Sequence, residues 1–159
     1  MDFESLLDKE KYQVFLFVCP ASMPIYFTGA RHSWLVVNKR GVVSRWEVFW
    51  RPTRGEESWG YLHKDFHTPT QGIEKFFFLK KPFWGPGKLV GYVEGDEQSV
   101  AGQMANFIEA SPKTYPYRDT YTLTGPNSNT YAQWVLNKFP QSGLRLPWNC
   151  FGKNYTFGS

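Results

Sequence analysis

Apolar residues along the chain cluster in short runs that Pro, Gly and charged residues separate, a pattern typical of strands and turns. The continuous apolar run at 12–19 (YQVFLFVC) predicts a strand that is buried on both faces. Residues 51–71 are rich in Pro, Gly, Thr and charge and are predicted to form a loop. Further strands are predicted over 33–38, 42–50, 75–79 and 88–94, with a short extended piece at 121–123.

Two later segments carry the apolar spacing of amphipathic helices. Residues 96–110 form the first, with Asp96 as the predicted N-cap. The second begins near Ser128 or Asn129 and stops before Pro140. Strands followed by helices predict an α+β fold with a mostly antiparallel sheet.

Length and composition narrow the class of protein. The 159 residues indicate one domain, 1–159, with a polar N-terminal segment at 1–11 that we expect to be flexible. The net charge is +4, but the cations are spread along the chain, which does not favour a nucleic-acid partner. The N-terminus lacks a signal-peptide core, and no apolar run approaches the roughly 20 residues of a membrane span. We therefore expect a soluble, cytoplasmic protein.

The residues that commonly bind metals or cofactors are sparse. Cys19 and Cys150 lie far apart and form no CxxC motif, so neither a zinc site nor a redox motif is indicated. His63, Asp65 and His67 alternate and would converge on a metal in an extended segment, but no further ligand cluster accompanies them. The sequence therefore predicts neither a metal nor a cofactor.

A His and a Glu on neighbouring strands have the spacing of a catalytic pair. If Lys39 and Arg40 form the hairpin loop, His32 lies opposite Glu47, with Cβ atoms about 4.5–5.5 Å apart. A carboxylate at that distance can hold an imidazole in one tautomer. A slip of one residue would break the pairing. The alternative is a surface His beside a solvated Glu.

The turn at 125–131 (GPNSNTY) presents a hydroxyl at the start of the second helix. Free N–H groups there stabilise negative charge, so Ser128 is the candidate nucleophile and His32 its base. Asn127 and Asn129 are the candidate oxyanion or positioning groups. The alternative is that Asn127 or Ser128 only caps the helix. Cys150 is the stronger nucleophile, but it lies in coil without a nearby His and is predicted to be structural.

Aromatic residues make up 19% of the chain, more than a core of this size needs. We predict that some of them line an apolar pocket for an acyl or aromatic group. The alternative is an aromatic-rich core. The pocket candidates are Trp34, Trp46, Trp50 and Trp59.

With these residues lined up, the chain resembles a bacterial domain-of-unknown-function family over about 12–155. That family carries HTW on a strand, a Tyr/Trp-Glu-Val strand after it, and GPNSNTF at the start of a helix. The departures are Ser33 for Thr, Tyr131 for Phe and Asn154 for Asp. The matching segments here are His32-Ser33-Trp34, Trp46-Glu47-Val48, 125–131, Tyr115-Pro116-Tyr117, Leu146-Pro147 and 152–155.

The family's plan is similar to that of circularly permuted papain-like domains of the NlpC/P60 and lecithin:retinol acyltransferase type. This similarity implies a papain-like fold with Ser128 in the usual Cys position, His32 as base and Glu47 as orienter. It implies a hydrolase or acyltransferase acting on an amide, ester or thioester of a small molecule, a peptide or a lipid-like acyl substrate. The alternatives are an inactive papain-like binding module and, third, a basic nucleic-acid binder.

Overall fold

A computed structural model describes residues 2–53, 55–79 and 82–156. One six-stranded sheet organises the chain, in the order β4-β5-β3-β2-β1-β6. All of its neighbouring strands pair antiparallel. The α+β prediction with an antiparallel sheet is therefore confirmed. The strands are β1 Tyr12–Pro20, β2 Arg31–Lys39, β3 Val42–Val48, β4 Ser58–Trp59, β5 Leu62–Lys64 and β6 Lys88–Gly95.

Within the described ranges three α-helices follow the sheet: α1 Val100–Glu109, α2 Ser111–Thr114 and α3 Ser128–Lys138. Short 3-10 helices occupy Phe3–Leu6, Ile25–Thr28 and Pro140–Ser142. Helices α1 and α3 pack against the sheet, α1 mainly on β1 and β6 and α3 on β2 and β3. Among the described residues, none of the helices is long and apolar enough to cross a membrane.

Both faces of the central strands are covered, which explains the unbroken apolar run of β1. Val14, Leu16 and Val18 face the helices in one core cluster. Phe15 and Phe17 face a second cluster on the opposite side. The long segment between β5 and β6 covers that second face, together with the N-terminal 3-10 helix.

The N-terminal segment is packed against the sheet, where we expected a flexible stretch over 1–11. Phe3 is buried and its ring makes edge-on contacts with Phe15 and Phe17, with centroids 5.0 and 5.6 Å apart. Phe3 anchors the segment together with Leu6 and Leu7, which pack against the same core cluster.

Several element predictions differ from the structure. Residues 75–79 form no strand, and Phe76 makes a single isolated bridge, to Met23. Residues 121–123 are not in a strand either, and the predicted loop at 51–71 contains β4 and β5. Helix α1 starts later than predicted, because Ser99 caps it by accepting from the Gly102 N–H, while Asp96 closes the preceding turn.

The β2–β3 hairpin differs from the predicted register by two residues. Lys39 pairs with Val42, so Arg40 and Gly41 form the loop. Both loop residues have positive φ, 52° and 93°, as a two-residue type I′ turn requires, and glycine suits its second position. A two-residue shift keeps every side chain on its face, so His32 and Glu47 stay on the same side as diagonal neighbours.

Candidate functional site

A cavity of about 70 Å³ lies beside the first residues of β2, where that strand meets the start of α3. His32 lines it from the sheet, and Asn127, Ser128 and Asn129 line it from the helix start. The remaining wall is largely apolar. Arg31 is its charged member, and its larger apolar members are Ile25, Phe49, Trp50, Ile73, Phe77, Tyr121, Leu123 and Phe151.

His32 is held by a carboxylate on one side of its ring. Its Nε2 lies 2.8 Å from Glu47 Oε2, and both side chains are buried. Burial lowers the pKa of His32 and outweighs the opposing effect of Glu47. The imidazole is therefore neutral near pH 7, and its Nε2–H donates to Glu47. In the described part of the chain no residue hydrogen bonds to Nδ1, which keeps its lone pair.

Glu47 also accepts hydrogen bonds from two further buried side chains. Arg45 Nη2 donates to Oε2 at 2.9 Å, and His67 Nδ1 donates to Oε1 at 2.7 Å. Burial is the largest single influence and opposes ionisation, but Arg45, His67 and His32 together hold the pKa of Glu47 well below its usual value. Glu47 is therefore a carboxylate, and both of its oxygens are occupied.

The network continues through His67 to a second buried ion pair. His67 Nε2 lies 3.6 Å from Glu74 Oε2, and Arg51 Nη1 lies 3.2 Å from Glu74 Oε1. Burial opposes protonation of His67, but Glu47 and Glu74 outweigh it and raise its pKa above 6.5. The two carboxylates therefore favour the protonated form of His67.

This arrangement predicts a pH-dependent share of stability from His67. A raised folded pKa gives a contribution that is complete below the unfolded value of 6.5 and is lost as pH rises through the folded pKa. The unfolding free energies of wild type and His67→Gln should therefore differ more at about pH 6 than at about pH 8.5. Urea unfolding at both pH values measures the difference, and a gap that stays constant with pH contradicts this assignment.

Sequence reasoning missed Arg45, Arg51, His67 and Glu74 as parts of the site. Arg45 lies two residues before Glu47 on the same strand, so the two side chains share a face. This spacing alone could have predicted that Arg45 lies beside Glu47. His67 stood out only as a metal candidate. The alternating segment does not converge, because His63 hydrogen bonds to Ser58 Oγ and the Arg51 carbonyl. Within the described residues no group of three metal-binding side chains is arranged for a metal ion.

At the start of α3, one residue caps the helix and the next residue is the candidate nucleophile. Asn127 is the N-cap of α3 and forms a capping box with Thr130. Ser128 is the first helical residue and is 4% exposed. Across the described ranges, neither its hydroxyl nor its backbone N–H makes a hydrogen bond. Ser128 and His32 line the same cavity but are not hydrogen bonded to each other.

The side-chain amides of the two Asn residues are already engaged. Asn129 Nδ2 donates to the carbonyls of Arg31 and Phe151, while its Oδ1 accepts from Ser33. Asn127 Nδ2 likewise donates to the carbonyls of Leu123 and Phe151. These amides position the helix start, and the unbonded donor beside the Ser128 hydroxyl is its own backbone N–H. Both side-chain amides thus donate to backbone carbonyls in this structure.

Only one of the four candidate pocket tryptophans lines the cavity. Trp50 does so, and Trp34 is instead fully buried beneath the Arg45 guanidinium, whose Cζ lies 4.0 Å from the ring centroid. Trp46 and Trp59 stack on each other at 6.1 Å, and both belong to the helix-side core. Trp34 serves the core, whereas Trp46 and Trp59 line a separate depression on the helix side, so the cavity beside Ser128 takes only Trp50 of the four.

Burial keeps both thiols protonated near neutral pH. Both cysteines are free and buried. Burial raises the pKa of Cys150 to about 11 and that of Cys19 to about 12. Neither lines the cavity, which agrees with the prediction that Cys150 is structural.

Comparison with known proteins places the chain in a family without assigning a function. No curated protein and no solved structure matches it. One family model, described as "Protein of unknown function (DUF3750)", matches residues 12–155. This match covers most of the 159 residues and includes the strands, the cavity and helix α3. The chain therefore belongs to the DUF3750 family of proteins of unknown function.

Proposed function

We propose that the protein is a hydrolase or acyltransferase that forms an acyl intermediate on Ser128, in a papain-like arrangement with Ser in the Cys position. One observation carries the proposal. Glu47 binds one nitrogen of a neutral, buried His32, and the other nitrogen is free of partners among the described residues beside a cavity that Ser128 also lines. A base with a fixed tautomer next to a hydroxyl at a helix start is the arrangement that activates a serine.

The roles follow from the positions of the groups. Ser128 Oγ attacks the carbonyl carbon of an amide, ester or thioester, and its proton passes to His32 Nδ1. The Ser128 backbone N–H lies next to the oxygen that becomes negative, so it stabilises the tetrahedral intermediate. His32 returns the proton to the leaving group. Water or an acceptor nucleophile then releases the acyl group from Ser128 with the same base.

The charge of Glu47 matters when His32 becomes protonated. The imidazolium that forms is buried, and Glu47 lies 2.8 Å from it. Arg45 and His67 keep Glu47 ionised, so the carboxylate is present before the proton moves. Catalytic hydrogen bonds in unliganded sites are often long and tighten when substrate binds, so the open Ser128–His32 contact fits this mechanism.

The volume of the cavity limits the size of the substrate group that it can enclose. An apolar cavity of about 150 Å³ holds one benzene molecule, and this one measures about 70 Å³. Only a short acyl end or a small apolar group fits beside Ser128. The rest of a larger substrate would lie outside the mouth.

Labelling with a fluorophosphonate tests the proposal, because such probes react with activated serines. We expect one adduct per chain by intact-mass spectrometry, mapped to the peptide that contains Ser128. The adduct should be lost in Ser128→Ala and kept in Ser5→Ala, a matched control at an exposed serine. Absence of an adduct, or an adduct at another serine, would favour a binding module that retains the cleft without its chemistry.

A further inference from the structure

Large exposed apolar side chains lie on the loops that line or adjoin the cavity. Phe27, Phe78 and Trp148 are 76%, 81% and 79% exposed, which is unusual for large aromatic residues. Leu123 and Phe151 are also exposed and line the cavity itself. We call these five residues the apolar rim. A contiguous exposed apolar patch marks an interaction surface.

The rim residues come from separate loops that meet at the cavity. Trp148 packs beside Phe151, with ring centroids 6.4 Å apart. Phe27 lines a shallow depression that shares Ala30 and Arg31 with the cavity wall.

Phe78 and the C-terminal loop that carries Trp148 are also tied to the cavity end of the sheet. Phe78 directly follows Phe77, which lines the cavity. The C-terminal loop is fixed at this end of the sheet, because the Arg31 N–H donates to the Asn149 carbonyl at 3.1 Å.

Acidic residues are unevenly distributed in the same direction, whereas basic residues occur at both ends of the sheet. At the end opposite the rim, Lys11 and Lys39 pair with Glu94 and Glu109. The segments that supply the rim, 20–31, 75–88 and 120–159, contain no Asp or Glu in the sequence. Acidic residues gather at the opposite end of the sheet, where Tyr12 pairs with Gly95 and where Glu10, Glu94 and Asp96 are exposed. In the described part of these segments the basic residues are Arg31, Lys75, Lys88, Arg145, Lys153 and, at the far end of α3, Lys138.

We propose that the apolar rim docks the protein on an anionic lipid surface, with the cavity mouth facing the headgroups. Aromatic side chains are favoured at the depth of the headgroups, and lysines without acidic neighbours attract anionic phosphates. Protein–protein interfaces are depleted in lysine, whereas four of these six described cations are lysines. The small cavity fits the same reading, since it would enclose one end of a lipid that stays in the membrane.

Co-sedimentation with vesicles tests the docking without using the proposed chemistry. We expect binding to phosphatidylcholine vesicles that contain about 30% phosphatidylglycerol, and at least about tenfold weaker binding to pure phosphatidylcholine. Added salt should weaken binding to the anionic vesicles. Ser128→Ala should bind as wild type, so loss of the catalytic proposal leaves this result intact.

Matched variants locate the contact. The double variant Phe27→Ser, Trp148→Ser should lower partitioning by about tenfold or more, because two aromatic groups no longer enter the interface. Val42→Ser removes an equally exposed apolar group at the β2–β3 hairpin and should bind as wild type. Circular dichroism melting checks that all variants remain folded.

Three results would overturn the proposal. The first is failure to bind anionic vesicles at low salt. The second is a double variant that binds as well as wild type. The third is salt-sensitive binding to mixed-sequence DNA without vesicle binding, which would assign the basic surface to a nucleic acid.

Discussion

Replacing Glu47 with Gln is expected to lower the free energy of unfolding by about 3–5 kcal/mol. Glu47 is fully buried and accepts hydrogen bonds from His32, Arg45 and His67. The neutral amide keeps the shape but leaves the Arg45 guanidinium buried without its counter-charge. An amide nitrogen would also face one of the existing donors. Urea unfolding at about pH 7 measures the loss.

An exposed carboxylate provides the matched control. Glu57 pairs with Lys64 at 3.2 Å on the surface, with a side chain that is 55% exposed. Glu57→Gln should change the unfolding free energy by less than about 0.5 kcal/mol. A loss below about 1 kcal/mol in Glu47→Gln would mean that the network is not held together by charge.

Replacing His32 with Ala is expected to slow phosphonylation of Ser128 by about 10³-fold or more, since the hydroxyl loses its base. His67→Gln is the informative comparison. His67 also binds Glu47, through the other carboxylate oxygen, but it does not line the cavity. We expect His67→Gln to lose less than about tenfold in the same assay.

The rates are read from the growth of the adduct mass with time, at equal fractions of folded protein. Similar losses in both histidine variants would indicate that the network only supports the fold. Equal rates in His32→Ala and wild type would remove His32 from the mechanism.

The sequence predicts the sheet well where burial is strong and local. The unbroken apolar run of β1 and the apolar stripe of α3 leave few alternatives, and both elements appear as expected. The strand predicted over 75–79 was wrong, because aromatic residues are common in strands but also occur in loops. In the structure Phe77 packs on Trp50 and lines the cavity from a loop, and Phe78 is exposed. Aromatic content alone does not distinguish a strand from a loop that packs on a sheet.

The candidate site was likewise predicted only in part. His32 and Glu47 come into contact although the loop was misplaced, because the error was an even number of residues. The rule for two-residue turns would have placed the loop at Arg40 and Gly41. His67 and Glu74 could not be found in this way, since they reach Glu47 and Arg51 from a long loop whose path is set by tertiary packing.

The central claim is that neutral His32 activates Ser128, and the pH dependence of Ser128 labelling tests it most directly. The pKa of His32 lies below its ordinary value of 6.5, because burial disfavours the imidazolium. The account predicts a labelling rate at Ser128 that is level above pH 6.5 and falls at lower pH as His32 takes up a proton, with no such inflection in His32→Ala. A rate that rises with hydroxide throughout, and equally in wild type and His32→Ala, would contradict it.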